Sequence, residues 1–321
     1  MYPVLKWLNE ALDSKDLVIG MTYYRVAGGM IKATNGRITA AHPWEYEGEF
    51  LVAGKEFEKV LERMPEVPSI EVEEMQIKMR SGRYHGTIQT LPLSEWDYPG
   101  VDDAQWQRIP ESLIDALKEL RPFVSDNAKQ QWALCVALQD GWAYATNNIA
   151  LACVQCPDIK SIMALLPVWA IDFVLKRTGE LAEWAWTDNY VAFRWSNGAW
   201  MRSQLIVGAF PERAAELVRQ SISEVPTQPI TKEFRHAFEQ VAELAEDTVA
   251  IYSDRIESRF GKAFVVSIAD CEVPVEGCSI WGAKFLLPVI QVADCWSPGV
   301  WPQAVPFKGK VVSGYVVGRK I

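Results

Sequence analysis

The sequence predicts an α+β fold made of a repeated unit of helix, strands, helix and strands, and three observations carry that prediction. Amphipathic helical runs alternate with runs of strand period, two helices to each segment. Thr34 and Thr146, Val60 and Val174, Gln89 and Gln204, and Pro99 and Pro211 recur in the same order, at offsets of 112, 114, 115 and 112 residues. A fixed period of this kind marks a repeated architecture. The 321 residues are 49% hydrophobic and 23% charged, which suits a folded chain and excludes wholesale disorder.

The first segment, residues 1–103, opens on a short helix with Leu5, Leu8 and Leu12 on one side. The runs LVIGMTYYRVA, GMIKATNG and RITAAHP read as strands. AGKEFEKVLERMP is a compact helix whose apolar side is Phe57, Val60, Leu61 and Met64. Two more strands follow, in SIEVEEMQIKMRSG and RYHGTIQTLP, and the polar stretch SEWDYPGVDD suits a linker.

The second segment, residues 104–222, repeats that order. Leu113, Ile114, Leu117 and Leu120 mark one helical face. QWALCVALQDGWAYATNN reads as a hairpin turning at Asp140-Gly141. The helix PVWAIDFVLKRTG has Pro167 near its start and Gly179 just past its end. AEWAWTDNYVAFRWSNGAWMRSQL then alternates as strands do, so its tryptophans read as core and cross-strand partners. The third segment, residues 223–321, begins after SEVPTQP with a helix apolar at Phe234, Phe238, Val241 and Leu244. Its second helix, GAKFLLPVIQVAD, contains Pro288, which is expected to kink or shorten it. The Ala-Thr-Asn echo is absent, so this segment rests on element order alone.

Searches for chemistry return little. The chain has no phosphate-binding GxxxxGK[ST] loop, no GxGxxG after a strand, no GxSxG and no HExxH. Of six cysteines only Cys153 and Cys156 have CxxC spacing, no second pair completes a zinc set, and the chain has three histidines. Cysteines in runs such as WALCVAL behave as small hydrophobes. A net charge of −9 argues against nucleic-acid binding over the whole surface but leaves room for a local basic stripe. The helices' polar faces carry such cations, with Glu56, Glu58, Glu62 and Glu119 among them, so on spacing alone ordinary solvated faces are the favoured reading. No apolar run approaches a membrane span and the N-terminus does not read as a signal peptide, so a cytoplasmic protein is the simplest reading.

Several stretches resemble the bacterial beta sliding clamp family. MQIKMRSGRYHGTIQTLPLSEWDYP is similar to the family's strand pair ending in Thr-Leu-Pro and an aromatic-Pro. ALQDGWAYATNNIALACV resembles the stretch that carries Thr-Asp-Gly-His-Arg-Leu-Ala after a hairpin. AWMRSQLIVGAFPE and the tail YVVGRKI are similar to its Ser-Lys-Leu/Gly/Phe-Pro-Asp and Tyr-Val-Val-Met-Pro-Met-Arg-Leu patterns. The resemblance implies three tandem DNA-clamp domains, each with two helices on antiparallel sheets, in a homodimer closed head to tail into a ring. It implies a processivity factor without catalytic activity or cofactor that encircles double-stranded DNA without reading its sequence. Its DNA-binding residues would be Lys6, Lys15, Lys55, Lys59, Arg63, Lys118, Arg121, Lys176, Arg177, Lys232, Arg235 and Lys284. Replicative polymerase and clamp loader would dock through short peptide motifs at Thr146, Asn148, Leu151, Phe285, Tyr315, Val317, Gly318, Arg319 and Ile321. Ile149 and Ala150 depart from the family's His-Arg, and the tail lacks Met-Pro-Met. The competing readings are a clamp-like partner binder without a ring, and an enzyme using Cys153 and Cys156 for zinc or redox chemistry.

Overall fold

The computed structural model describes residues 3–15, 18–259, 264–268 and 277–319. The first stretch runs α1 (Pro3–Leu8), β1 (Tyr23–Ala27), β2 (Met30–Thr34), β3 (Ile38–Pro43), β4 (Phe50–Ala53), α2 (Gly54–Glu62), β5 (Ser69–Glu73), β6 (Gln76–Ser81) and β7 (Tyr84–Leu91). After a short β8 (Gln107–Arg108) come α3 (Glu111–Leu120), β9 (Cys135–Gln139), β10 (Trp142–Thr146), β11 (Ala150–Gln155) and β12 (Met163–Pro167). Then follow α4 (Val168–Lys176), β13 (Leu181–Trp186), β14 (Tyr190–Trp195) and β15 (Trp200–Gln204). The connector holds α5 (Glu212–Gln220) and β16 (Gln228–Pro229). The last stretch runs α6 (Lys232–Leu244), β17 (Thr248–Ile251), β18 (Arg255–Arg259), β19 (Val266–Ile268), β20 (Ser279–Gly282), α7 (Ala283–Val292), β21 (Ala293–Trp296), β22 (Ala304–Gly309) and β23 (Val312–Val317).

Helix, four strands, helix, three strands therefore occurs three times. The strand order inside the sheets repeats as well: β4-β1-β2-β3, β12-β9-β10-β11 and β20-β17-β18-β19. Topology thus makes the last stretch a repeat of the first two, where the sequence offers element order only.

Contacts divide the chain into two compact units. One takes the chain up to Ile109 together with Trp169–Leu205, and the other takes Pro110–Val168 with the chain from Ile206 onward. The first holds an 11-stranded sheet, β5-β6-β7-β4-β1-β2-β3-β15-β14-β13-β8. The second holds an eight-stranded sheet, β12-β9-β10-β11-β23-β22-β21-β16, and a four-stranded one, β19-β18-β17-β20. Two junctions of one kind weld the repeats. β3 pairs antiparallel with β15 from Ile38↔Ser203 to Ala41↔Trp200, and β11 pairs with β23 from Ala150↔Val316 to Val154↔Val312. In each, the third strand of one repeat bonds the last strand of the next.

Helices cover the sheets with the apolar faces their periodicity predicts. Phe57 and Leu61 of α2, Leu113, Leu117 and Leu120 of α3, and Phe234, Phe238 and Val241 of α6 are buried. Thr231 caps α6 by accepting from the Phe234 amide at 3.1 Å. In the first unit Trp7 of α1 packs edge-on against Phe173 and Trp195, with ring centroids 5.2 and 5.1 Å apart. Trp184, Trp195 and Trp200 are buried, as strand alternation requires.

Three expectations need correction. Helix α5 stands where the sequence reading assigns no element; Ala215 and Val218 pack on Cys135, Ala137, Tyr144, Cys153, Leu165 and Phe210. The SEWDYPGVDD stretch is a strap, not a loose linker: Trp96 is buried, Tyr98 donates to the Ile19 carbonyl at 2.8 Å, and Arg202 donates to the Gly100 carbonyl. Pro288 lies inside α7, buried, without ending it before Val292. No helix among the described residues is long and apolar enough to cross a membrane.

Candidate nucleic-acid interface and peptide site

A basic helix face can contact phosphates only with cations that the fold leaves free. On α2 and its C-cap, Lys55, Lys59 and Arg63 are each four residues apart, so they form one exposed stripe away from Phe57 and Leu61. The Lys55 ammonium donates to the Ser14 carbonyl at 3.0 Å, which brings Lys15 beside this stripe. Lys6, Lys59, Arg63, Lys232 and Lys15 are exposed. None of these five has an ion-pair partner among the described residues. Lys284 is exposed and sits 4.9 Å from the Phe285 ring centroid.

The remaining cations are engaged to different degrees. Lys118 pairs with Asp115 at 3.3 Å and Lys176 with Glu10 at 3.5 Å, both between exposed groups where such pairs contribute little. Arg121 pairs with Asp126 at 2.8 Å. Two arginines are engaged by the fold itself. The Arg177 side chain is 7% exposed, lies 4.0 Å from the Phe173 ring centroid and donates to the Trp7 carbonyl at 2.8 Å. Burial holds its pKa below the ordinary guanidinium value, against the pull of Glu10. Arg235 donates to the carbonyls of Ile290 and Ala293, filling acceptors left open where α7 ends.

The peptide positions fall into two groups in the second unit. Thr146, Leu151 and Tyr315 stand directly opposite one another on β10, β11 and β23. The Thr146 hydroxyl donates to the Ala150 carbonyl at 2.8 Å and accepts from the Asn148 amide at 3.0 Å, while Asn148 takes φ +70°. Leu151 packs against the core beneath α5, and the Tyr315 hydroxyl donates to Glu224. Burial and Glu224 push the Tyr315 phenol well above its ordinary value. Val317 is 43% exposed, and its amide donates to the Ile149 carbonyl at 3.0 Å.

The second group surrounds the tail. Arg319 donates to both oxygens of Asp247 at 2.6 and 2.9 Å and to the Thr248 hydroxyl at 2.7 Å. Its backbone amide donates to the Ile280 carbonyl at 2.8 Å. The Phe285 ring and the Arg319 side chain both crowd Gly282, which brings these two positions together. Trp301 lies against Gly318 so closely that a Cβ there would be 2.2 Å from the indole nitrogen. Ile321 lies outside the described residues.

Sequence reasoning misses α5, Glu224 and Trp301. For α5 a signal exists: Ala214, Ala215 and Val218 follow Pro211 at helical spacing. Nothing in the sequence ties Trp301 to Gly318, because only the folded tail brings them together.

Cys153 and Cys156 do not form a paired site. Cys153 faces the Val218 carbonyl at 3.8 Å and Cys156 the Ser112 carbonyl at 3.6 Å. Burial pushes each thiol up to about 12, so neither is a thiolate at neutral pH.

No protein-family model and no curated protein matches the sequence. Solved structures do match. The Helicobacter pylori beta clamp bound to a DNA ligase peptide shares 15% identity, with 99% of this chain and 96% of that one covered and a TM-score of 0.75. The DNA polymerase III subunit beta from Pseudomonas aeruginosa shares 14%, over 99% and 97%, with a TM-score of 0.75. The beta sliding clamp of C. crescentus shares 14%, over 99% and 96%, with a TM-score of 0.77. The chain therefore has the fold of the bacterial beta clamps along its whole length, at an identity where the likeness is one of fold.

Proposed function

We propose that this protein is a DNA sliding clamp: a non-catalytic processivity factor that encircles duplex DNA and tethers a replicative polymerase. The observation that carries the reading is the repeated junction. Joining third strand to last strand twice leaves one of each outside such a junction among the described residues. The open third strand is β19, whose Val266 and Ile268, with nearby Phe264, are 42%, 86% and 73% exposed. The open last strand is β7, which pairs with β4 only at Thr90 and Leu91, leaving its side free over the residues before them. Pairing β19 of one copy with β7 of another extends the same junction between subunits, and a homodimer closed this way is a ring of six repeats. Such closure also removes exposed sheet edges.

In this reading the three domains divide near residues 103 and 222. The exposed cations Lys6, Lys15, Lys55, Lys59, Arg63, Lys232 and Lys284, with Lys118, Arg121 and Lys176, hold the DNA backbone without reading sequence. Polymerase and loader dock as short peptides at the two groups around Tyr315 and Arg319. The protein works in the cytoplasm, where its DNA is. The test is topological: clamp loaded on a nicked circular plasmid should stay bound and should slip off once the plasmid is linearised. Equal retention on both forms would refute the ring. A monomer that still binds polymerase peptides would favour the partner-binding reading instead.

A further inference from the structure

The helix-free face of the 11-stranded sheet holds a charge arrangement that DNA encirclement does not use. Directly opposed residues on neighbouring strands share a face. The pairings Arg25↔Lys32, Lys32↔Ala41, Ala41↔Trp200, Trp200↔Arg194 and Arg194↔Glu183 therefore trace one row across five junctions. Tyr24, next to Arg25 on β1, donates to Glu58 of α2 and packs on Phe57, so Arg25 points to the opposite side.

Most cations of this face are satisfied. Arg194 donates to Glu183 and stacks 4.4 Å from the Trp106 ring centroid. Arg202 stacks on Tyr190 at 3.8 Å and lies 3.7 Å from Asp103. Arg25 and Lys32 are the exception. Both are half-buried and directly opposed, a like-charge placement that destabilises a sheet. Neither has an ion-pair partner among the described residues, and the Arg25 Nε is buried without a hydrogen-bond acceptor. Lys32 has only the Trp200 ring at 5.7 Å and the field of Asp102 on the strap. Burial, and then Arg25, hold the Lys32 pKa below its ordinary value, with Asp102 opposing.

We propose that Arg25 and Lys32 form a binding site for a phosphate-class oxyanion on the face of the sheet opposite α2. A dianion compensates both cations at once, whereas a single carboxylate would leave one uncompensated. The guanidinium supplies directed donors and the ammonium supplies a point charge. The chemistry is shared by inorganic phosphate and by the terminal phosphate of a nucleotide.

Thermal melting of the full chain in sodium phosphate against sodium chloride at matched ionic strength tests the site. Phosphate should raise the midpoint saturably beyond chloride, and the Arg25→Gln/Lys32→Gln variant should lose that increment. In chloride the same variant should melt no lower than the parent, since the like-charge pair is gone. Lys160→Glu, an exposed cation that belongs neither to this site nor to the proposed DNA-contacting set, should keep the full increment, so failure of the clamp reading leaves this result standing. An equal phosphate increment in the parent and in Arg25→Gln/Lys32→Gln overturns the proposal. Should the double variant fail to fold, Lys32→Gln followed by phosphorus-NMR line broadening decides: at least tenfold weaker binding supports the site, unchanged broadening overturns it. Deoxythymidine monophosphate competing below the phosphate concentration assigns a nucleotide source, and no gain over phosphate assigns the free ion.

Discussion

Thr146 closes its turn with one hydroxyl that donates to the Ala150 carbonyl and accepts from the Asn148 amide, and Thr34 does the same with Ile38 and Gly36 at 2.9 and 3.2 Å. The following asparagine accepts from two amides in each repeat, and the third residue takes φ +70° at Asn148 and φ +79° at Gly36. The paired Ala-Thr-Asn motifs are thus one local hydrogen-bonding device at two strand ends. Thr146→Ala leaves the Asn148 amide without its acceptor while the Ala150 carbonyl keeps the Asn147 amide at 3.2 Å, and should cost about 1 kcal/mol in urea unfolding. Gly318 is constrained by a neighbour instead. Gly318→Ala should destabilise by about 1–3 kcal/mol, because Trp301 and the Ile280 carbonyl leave its Cβ no room. In a Trp301→Ala background most of that penalty should vanish, and a double-mutant cycle measures the difference. The Arg319 hydrogen bonds hold the Asp247 carboxyl below its usual range. A depressed folded-state pKa contributes stability above the unfolded value and loses it as pH falls through the folded one. The stability gap between the parent and Asp247→Asn should therefore be present at neutral pH and close in acid, below the ordinary carboxylate range; both groups are partly exposed, so the gap is small.

At the scale of elements, cations that look alike in sequence separate into two kinds. Lys59 and Arg63 stand free on α2, whereas Arg235 fills the open carbonyls at the end of α7 and Arg177 is wedged between Trp7 and Phe173. Arg235→Ala should lower stability by about 1–3 kcal/mol through those unsatisfied acceptors, with Lys232→Ala nearly neutral in the same denaturation. Lys59→Glu/Arg63→Glu should leave unfolding unchanged while weakening DNA retention and flattening its salt dependence, by about 0.9 in log–log slope per lost phosphate contact. That contrast also marks the limit of what the sequence makes legible. Periodicity displays the buried side of α2, α3 and α6, and the Asp140-Gly141 turn, with φ +53° and +82°, because those features are local. The fate of Arg177 and Arg235 is set by residues more than fifty positions away. Helix α5 escapes because the residues it packs inward are two alanines and a valine, with Leu217 turned outward, too weak a signal until Phe210 and Tyr144 meet them. The strap escapes for a related reason: its Pro and Gly mark a loop, while its buried Trp96 and its contact with Arg202 belong to tertiary structure.

Over the whole molecule, the repeated junction is what supports the proposed ring. A sheet junction used at β3–β15 and again at β11–β23 is a heterologous contact, and a chain of heterologous contacts either closes or grows without limit. Closure is the outcome that hides β19, whose three described residues include an 86% exposed Ile268. An isoleucine so placed, on an edge strand, is otherwise an invitation to aggregate. Ile268→Glu puts a charge where two strand edges must meet but touches nothing in the core of its own subunit. The variant should unfold at the same denaturant concentration as the parent when each is compared as a single subunit. Its mass in solution should fall from that of two chains to that of one, and its retention on nicked circular DNA should be lost. A variant that stayed dimeric would mean that subunits join elsewhere, and the open edges of β19 and β7 would then need a different occupant.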